Sequence, residues 1–147
     1  MEVYQATITD LVGVSELFNL YRVFYNQSSD LEGAATFLAE RINNQESVIF
    51  VAVQEGRYVG FTQLYPSFSS VSMRRMWILN DLYVLKEARG QGVAQKLLDA
   101  AKKYALQTEA KSLELQTAPD NKIAQKLYEK NGYQKDTTFF HYSLNLN

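Results

Sequence analysis

The stretch Arg89-Gly90-Gln91-Gly92 stands where a strand-like run ends and a helical run begins, and its residue types suit the holding of an anion. Glycine is a poor helix former. Two of them at a helix start mark either an unusual turn or a place where something approaches the main chain closely. Successive N–H groups in such a turn can converge on an anion, helped by the positive end of the helix dipole. The Arg89 guanidinium adds a group suited to phosphate oxygens. A ligand-free turn softened by glycine uses the same residues. A dinucleotide fingerprint is excluded, because Gly90-Gln91-Gly92-Val93-Ala94-Gln95 has glutamine where the third glycine belongs. A Walker loop is excluded too, since no G-K-[ST] follows.

Other chemistries are narrowed by what the chain lacks. It has no cysteine, hence no disulfide framework, thiolate zinc site or cysteine nucleophile. A single histidine, His141, rules out a His-rich metal site, and no G-x-S-x-G elbow supports a serine triad. No metal is expected. Lys+Arg is 15 against Asp+Glu 16, so no basic field points to nucleic acid or an anionic membrane. The apolar stretches are far short of a membrane span and MEVYQATITD has no signal-peptide pattern, so a cytoplasmic protein is expected. With 147 residues, no linker and no repeat, one domain over residues 1–147 is expected.

The elements that must position these groups follow from periodicity. Tyr4 to Ile8 reads as a strand, and Thr9 or Asp10 can cap the helix carrying Leu11, Val14, Leu17, Phe18 and Tyr21. Ser28-Ser29-Asp30 precedes a second helix with Leu31, Ala34, Ala35, Leu38 and Ile42 on its apolar face. Val48–Val53 and Tyr58–Tyr65 read as a hairpin around Glu55-Gly56, and Pro66 to Ser72 as a loop. Met76–Leu85 is an aromatic, β-branched strand, followed by a helix over Val93–Thr108 and a strand over Ser112–Thr117. A short helix from Pro119-Asp120 stops at Gly132, and Tyr133–Gln134 and Phe139–Leu146 read as closing strands. The predicted order is β-α-α-β-β-β-α-β-α-β-β, an α+β (mixed α/β) fold with a mixed sheet flanked by helices.

Arg89, Gly92 and Ala94 form R-x-x-G-x-A after an aromatic strand, and a later block runs Asn121-Lys122-Ile123-Ala124-Gln125-Lys126-Leu127-Tyr128, then Asn131-Gly132-Tyr133. In these two blocks, and in the order of its elements, the chain resembles the GNAT superfamily of acetyl-coenzyme A dependent N-acetyltransferases. The resemblance implies that the amides of Arg89, Gly90, Gln91, Gly92, Val93 and Ala94 hold the pyrophosphate of acetyl-CoA. It implies that the main chain of Leu82, Tyr83 and Val84 pairs with the pantetheine arm, and that Asn121 and Tyr128 face the thioester. Tyr128 is then the candidate general acid for the departing thiolate.

Trp77 to Val84, WILNDLYV, resembles the corresponding strand of small-amine acetyltransferases of the spermidine/spermine, diamine or thialysine type. Those enzymes commonly carry adjacent carboxylates where this chain has Asn80 and Asp81. Asn80 cannot take a proton and is assigned to the substrate side; Asp81 is the candidate base, acting through water. Strand alternation predicts opposite faces for the two. Tyr25 and Arg41, near helix ends, either line the acceptor pocket or sit on a helix surface, and His141 reads as structural before catalytic. The implied function is direct transfer of acetyl from acetyl-CoA to a primary amine of a small molecule (polyamine, diamine or amino-acid side chain) in a ternary complex. A protein or peptide amine, or CoA sensing without turnover, are the alternatives. A homodimer is expected through Phe139, Phe140 and Tyr142, unless those residues cover the core.

Overall fold

In the computed structural model all 147 residues are described, in two compact units, Met1–Leu115 and Gln116–Asn147. The first unit is built on a sheet in the order β1-β2-β3-β4-β5. Its strands are β1 (Glu2–Gln5), β2 (Val48–Gln54), β3 (Arg57–Ser69), β4 (Arg74–Val84) and β5 (Leu113–Glu114). Neighbours are antiparallel except β5, which runs parallel to β4 and makes the sheet mixed. Helices α1 (Leu11–Phe24), α2 (Leu31–Asn43) and α3 (Val93–Gln107) complete this unit.

The β2–β3 hairpin turns on Glu55 and Gly56, both at positive φ (51° and 77°), the twist that two-residue hairpin loops favour. β3 is longer than its periodicity suggested. It runs through Pro66 to Ser69, because β4 begins at Arg74 and pairs with it along that whole length.

Consecutive residues of β3 reach opposite sides of the sheet. A Cβ at Gly60 would meet Val93 Cγ1 of α3 at 3.0 Å, whereas the next residue, Phe61, sets its ring edge-on to Phe18 and Tyr21 of α1. The helices α1 and α3 therefore cover opposite faces. Phe61, Leu17, Leu38, Leu64, Leu97 and Leu98 are the large fully buried side chains of these layers.

The entry to α1 differs from the expected cap. Thr7, not Thr9 or Asp10, caps a short 3-10 turn over Ile8–Asp10 that leads into the helix. Asp10 makes no side-chain cap bond to α1. Its carboxylate turns back and accepts from Thr7 N (2.9 Å), the Tyr4 hydroxyl (2.8 Å) and the Tyr58 hydroxyl (2.6 Å). One buried carboxylate thus joins β1, α1 and β3. Helix α2 starts as expected, with Asp30 accepting from Gly33 N at 2.9 Å.

The second unit holds α4 (Lys122–Lys130), which ends before Gly132 at φ 89°. The expected strands Tyr133–Gln134 and Phe139–Leu146 do not form: the alternation of Phe140, Tyr142, Leu144 and Leu146 is real, but no strand pairs with them. A strand without a partner backbone has no ladder to hold it. Phe139, Phe140 and Tyr142 are 80%, 91% and 87% exposed. The strand expected over Ser112–Thr117 is likewise cut to Leu113–Glu114.

Replacing Asp10 tests the carboxylate's role. Burial alone pushes its pKa up, but the hydrogen bonds from Tyr58, Thr7 N and Tyr4 outweigh that and hold it below the usual carboxylate value. A depressed pKa stabilises the fold at pH above the unfolded-state value, and that stability is lost as pH falls through the folded value. Asp10→Asn is expected to lose about 1.5–3 kcal/mol at neutral pH, the usual worth of hydrogen bonds to a charged group. Urea titrations should show this gap narrowing as the pH is lowered through the carboxylate range.

Candidate active site

The decisive local feature is one extra residue in β4. Gln63 pairs with Asp81, but the next residue of β3, Leu64, pairs with Leu79, leaving Asn80 unopposed as a β-bulge. Odd-numbered residues of β4 change faces across it. Before the bulge, Trp77 packs on Tyr104 of α3, with ring centroids 5.3 Å apart. After it, Tyr83 meets Tyr21 of α1 edge-on at 6.4 Å, and Asp81 shares that side. The expectation that Asn80 and Asp81 point to opposite faces is therefore overturned: Asn80 Nδ2 donates to Asp81 Oδ1 at 2.7 Å. The bulge brings neighbouring side chains together.

Asp81 is only 2% exposed. Its other oxygen, Oδ2, accepts from Gln63 Nε2 at 2.6 Å. The Tyr21 hydroxyl donates to the carbonyl of Asn80 at 3.3 Å and stands close enough to stabilise the Asp81 carboxylate. Burial nonetheless dominates these contacts and pushes the Asp81 pKa above the ordinary carboxylate value. The neighbouring phenols respond in kind. Burial and the Asp81 charge push Tyr21 far up and Tyr65 up to about 12, with Arg41 partly offsetting the effect on Tyr65.

An aromatic path leads outward from this carboxylate. Tyr25 is the C-terminal cap of α1, half exposed, with its ring 5.0 Å from that of Tyr21. Phe18 stacks on Phe37 of α2 at 5.6 Å, and the Arg41 guanidinium lies 4.4 Å over Phe37. Arg41 is also held by Glu40 (3.3 Å) and Glu46 (3.0 Å). Tyr25 and Arg41 thus belong to the same face of the sheet as Asp81.

Beyond the bulge β4 leaves its outer neighbour. β5 pairs only with Trp77 and Ile78, so the edge from Leu79 to Val84 carries no strand. Leu85 N donates to Val59 O, and the alternation of an antiparallel ladder then turns the main-chain groups of Leu82 and Val84 away from β3. Those of Tyr83 point into the ladder, so Tyr83 presents its ring rather than its backbone.

The open edge runs into the glycine turn. Gly90 and Gly92 both adopt positive φ (79° and 80°), and a Cβ at either would meet nothing within 4 Å. Clash is not what excludes side chains there; the left-handed backbone selects glycine. Gly92 is the N-cap of α3, and no side chain caps that helix. Arg89 reaches back, its Nε donating to Val84 O at 3.0 Å and its guanidinium lying 5.7 Å from the Tyr83 ring centre. Part of its donor set is spent on closing the turn, and the remainder faces outward with the exposed side chain. These features fit a ligand that offers strand-like amides and then phosphates.

Known proteins share this fold. The model of the acetyltransferase (GNAT) family matches residues 14–133. The chain belongs to that family. It is an acyltransferase with the α+β fold the family shares, and its relatives carry names to match. The uncharacterized N-acetyltransferase YhfO of Bacillus subtilis (strain 168) is 54% identical over 99% of this chain and 98% of its own length. The crystal structure of a probable acetyltransferase superposes with a TM-score of 0.95 at 45% identity, covering 100% of this chain and 99% of that one. An aminoglycoside N-acetyltransferase solved in complex with CoA shares the fold at 19% identity, with a TM-score of 0.82 over 99% of this chain and 95% of that chain.

In this acetyltransferase the other two expected site residues lie in the second unit. Asn121 is the N-cap of α4, its Oδ1 accepting from Ala124 N at 3.2 Å, so the carboxamide oxygen already has a structural task. Tyr128 packs its ring 5.8 Å from that of Tyr133. Lys122, Lys126 and Lys130 are exposed, and so is His141. Gln63, Tyr21 and Tyr65 were not among the expected site residues. One signal for Gln63 was available: a lone carboxamide inside the apolar strand of the β2–β3 hairpin.

Proposed function

We propose that this acetyltransferase moves the acetyl group of acetyl-CoA directly to a primary amine of a small molecule, both being bound at once. The observation that carries the reading is Asp81, a buried carboxylate beside the unpaired β4 edge and at the inner end of an aromatic path. Acetyl-CoA supplies the activated acyl group; what remains is binding and proton movement by the chain's own residues. The small-molecule class is supported by the likeness of Trp77–Val84 to the strand of small-amine enzymes.

The outward main-chain groups of Leu82 and the N–H of Val84, whose carbonyl Arg89 holds, suit strand-like pairing with the amides of a pantetheine arm. The glycine turn, the uncapped start of α3 and Arg89 suit its pyrophosphate. An aliphatic amine arrives mostly as ammonium and must lose a proton before it can attack. Asp81 receives that proton, relayed by water, and its raised pKa brings it closer to the working pH than an ordinary carboxylate. Tyr21 and Tyr25 shape the approach of the amine. Tyr128 is assigned the opposite transfer, giving its phenolic proton to the leaving sulfur.

A screen of small amines and peptide N-termini with acetyl-CoA, following release of free thiol, tests the reading. Turnover with small amines is expected. Turnover confined to peptides would replace the acceptor class, and binding without thiol release would make the chain a CoA sensor.

Three variants separate the parts. Gly92→Glu sets a carboxylate among the turn's amides and imposes a strained backbone, so the melting shift produced by acetyl-CoA should vanish; a full shift removes the turn from the cofactor site. In the wild type, kcat/KM should rise with pH as Asp81 loses its proton, and Asp81→Asn should abolish that limb along with most turnover. Tyr128→Phe should keep acetyl-CoA affinity while kcat at saturation falls by roughly 10²-fold, within the range for one positioned proton donor. A kcat within about twofold of wild type, with chemistry rate-limiting, would take the acid role from Tyr128.

A further inference from the structure

Gln63 is fully buried on β3, directly opposite Asp81. Its Nε2 donates to Asp81 Oδ2 at 2.6 Å, a short bond of the kind made to a charged oxygen. Its Oε1 is buried and accepts from no group of the protein. An unmatched buried carbonyl is costly, and an apolar side chain in the same space would avoid it. The position therefore keeps a residue that satisfies its neighbour and not itself. Packing does not account for that choice.

We infer that Gln63 is a positioning residue for Asp81, fixing the carboxylate at the bulge and holding it in its charged form. Two amides share that task, one per oxygen: Gln63 from β3 and Asn80 from β4. The other polar and charged groups facing the carboxylate are Tyr21 from α1 and Tyr65 from β3, with Tyr25 beside Tyr21 and Arg41 of α2 acting on Tyr65. Of these, the Tyr21 hydroxyl also favours the charged carboxylate, and Gln63 is the amide that donates to Oδ2. Loss of Nε2 removes a short donor from that buried oxygen, which penalises the charged carboxylate and spares the protonated one.

The inference deepens the reading of Asp81 as proton acceptor and, for its effect on turnover, rests on it. The test uses the full-length protein with ¹³C-labelled aspartate, comparing wild type with Gln63→Leu and with Gln63→Met, which keeps the side-chain length. Both variants are expected to raise the Asp81 titration by about one to two pH units, the shift corresponding to one hydrogen bond to a charge. The acid limb of kcat/KM should move with it, so turnover below the limb falls roughly tenfold or more while the KM for acetyl-CoA stays constant. Any loss of Tm should be confined to pH values at which Asp81 is charged. A general packing role predicts the reverse: a lower Tm at every pH and an unmoved titration, and that result overturns the assignment. If Asp81→Asn turns over like the wild type, the catalytic reading of Asp81 fails, and the ¹³C titration still decides whether Gln63 governs its charge.

Discussion

A single unopposed residue in β4 sets the geometry on which everything else in the site relies. With regular pairing, Trp77, Leu79, Asp81 and Tyr83 would share one face of the sheet, and the carboxylate would be driven into the layer under α3. The bulge at Asn80 lets Trp77 stay with Tyr104 on that side while Asp81 and Tyr83 turn to α1. A bulge also increases local twist, which accounts for β4 parting from β5 immediately after Ile78. One inserted residue therefore delivers both a carboxylate on the aromatic side and an unpaired edge beside it.

The surroundings of Asp81 reflect a balance between two opposed effects. Burial disfavours the charge, and the amides of Asn80 and Gln63 together with Tyr21 favour it. Burial prevails, and the donors work against it. A fully apolar pocket would leave the group permanently protonated; a fully solvated one would leave it with the weak basicity of an ordinary carboxylate. The unmatched Gln63 Oε1 is a local concession of stability beside the site.

Local signals in the sequence were sufficient where the governing physics is local. The Glu55-Gly56 turn, the Asp30 cap, the start of α3 at Val93 and the stop of α4 before Gly132 all depend on residues a few positions apart. The face of Asp81 depends on which residue of β3 opposes it, and nothing in WILNDLYV records that pairing. The same limit applies to the closing strands: Phe139–Leu146 has the alternation of a strand, but alternation carries no information about a partner. Asp10 has a further lesson. Its type and position suggested a helix cap, yet Tyr4 and Tyr58, the latter 48 residues away, claim the carboxylate.

Those phenols carry a consequence at the other end of the pH scale. Tyr4 is pushed up by Tyr58 and Asp10, Tyr58 chiefly by Asp10, and Tyr21, Tyr65 and Tyr133 chiefly by burial. Each holds its proton in the folded chain past the point, near pH 10, where a free phenol lets go. Unfolding in alkali therefore releases protons, and stability falls as pH rises from the free-phenol value through the folded ones. The tyrosinate signal of these five rings should therefore appear together with loss of the fold and not ahead of it.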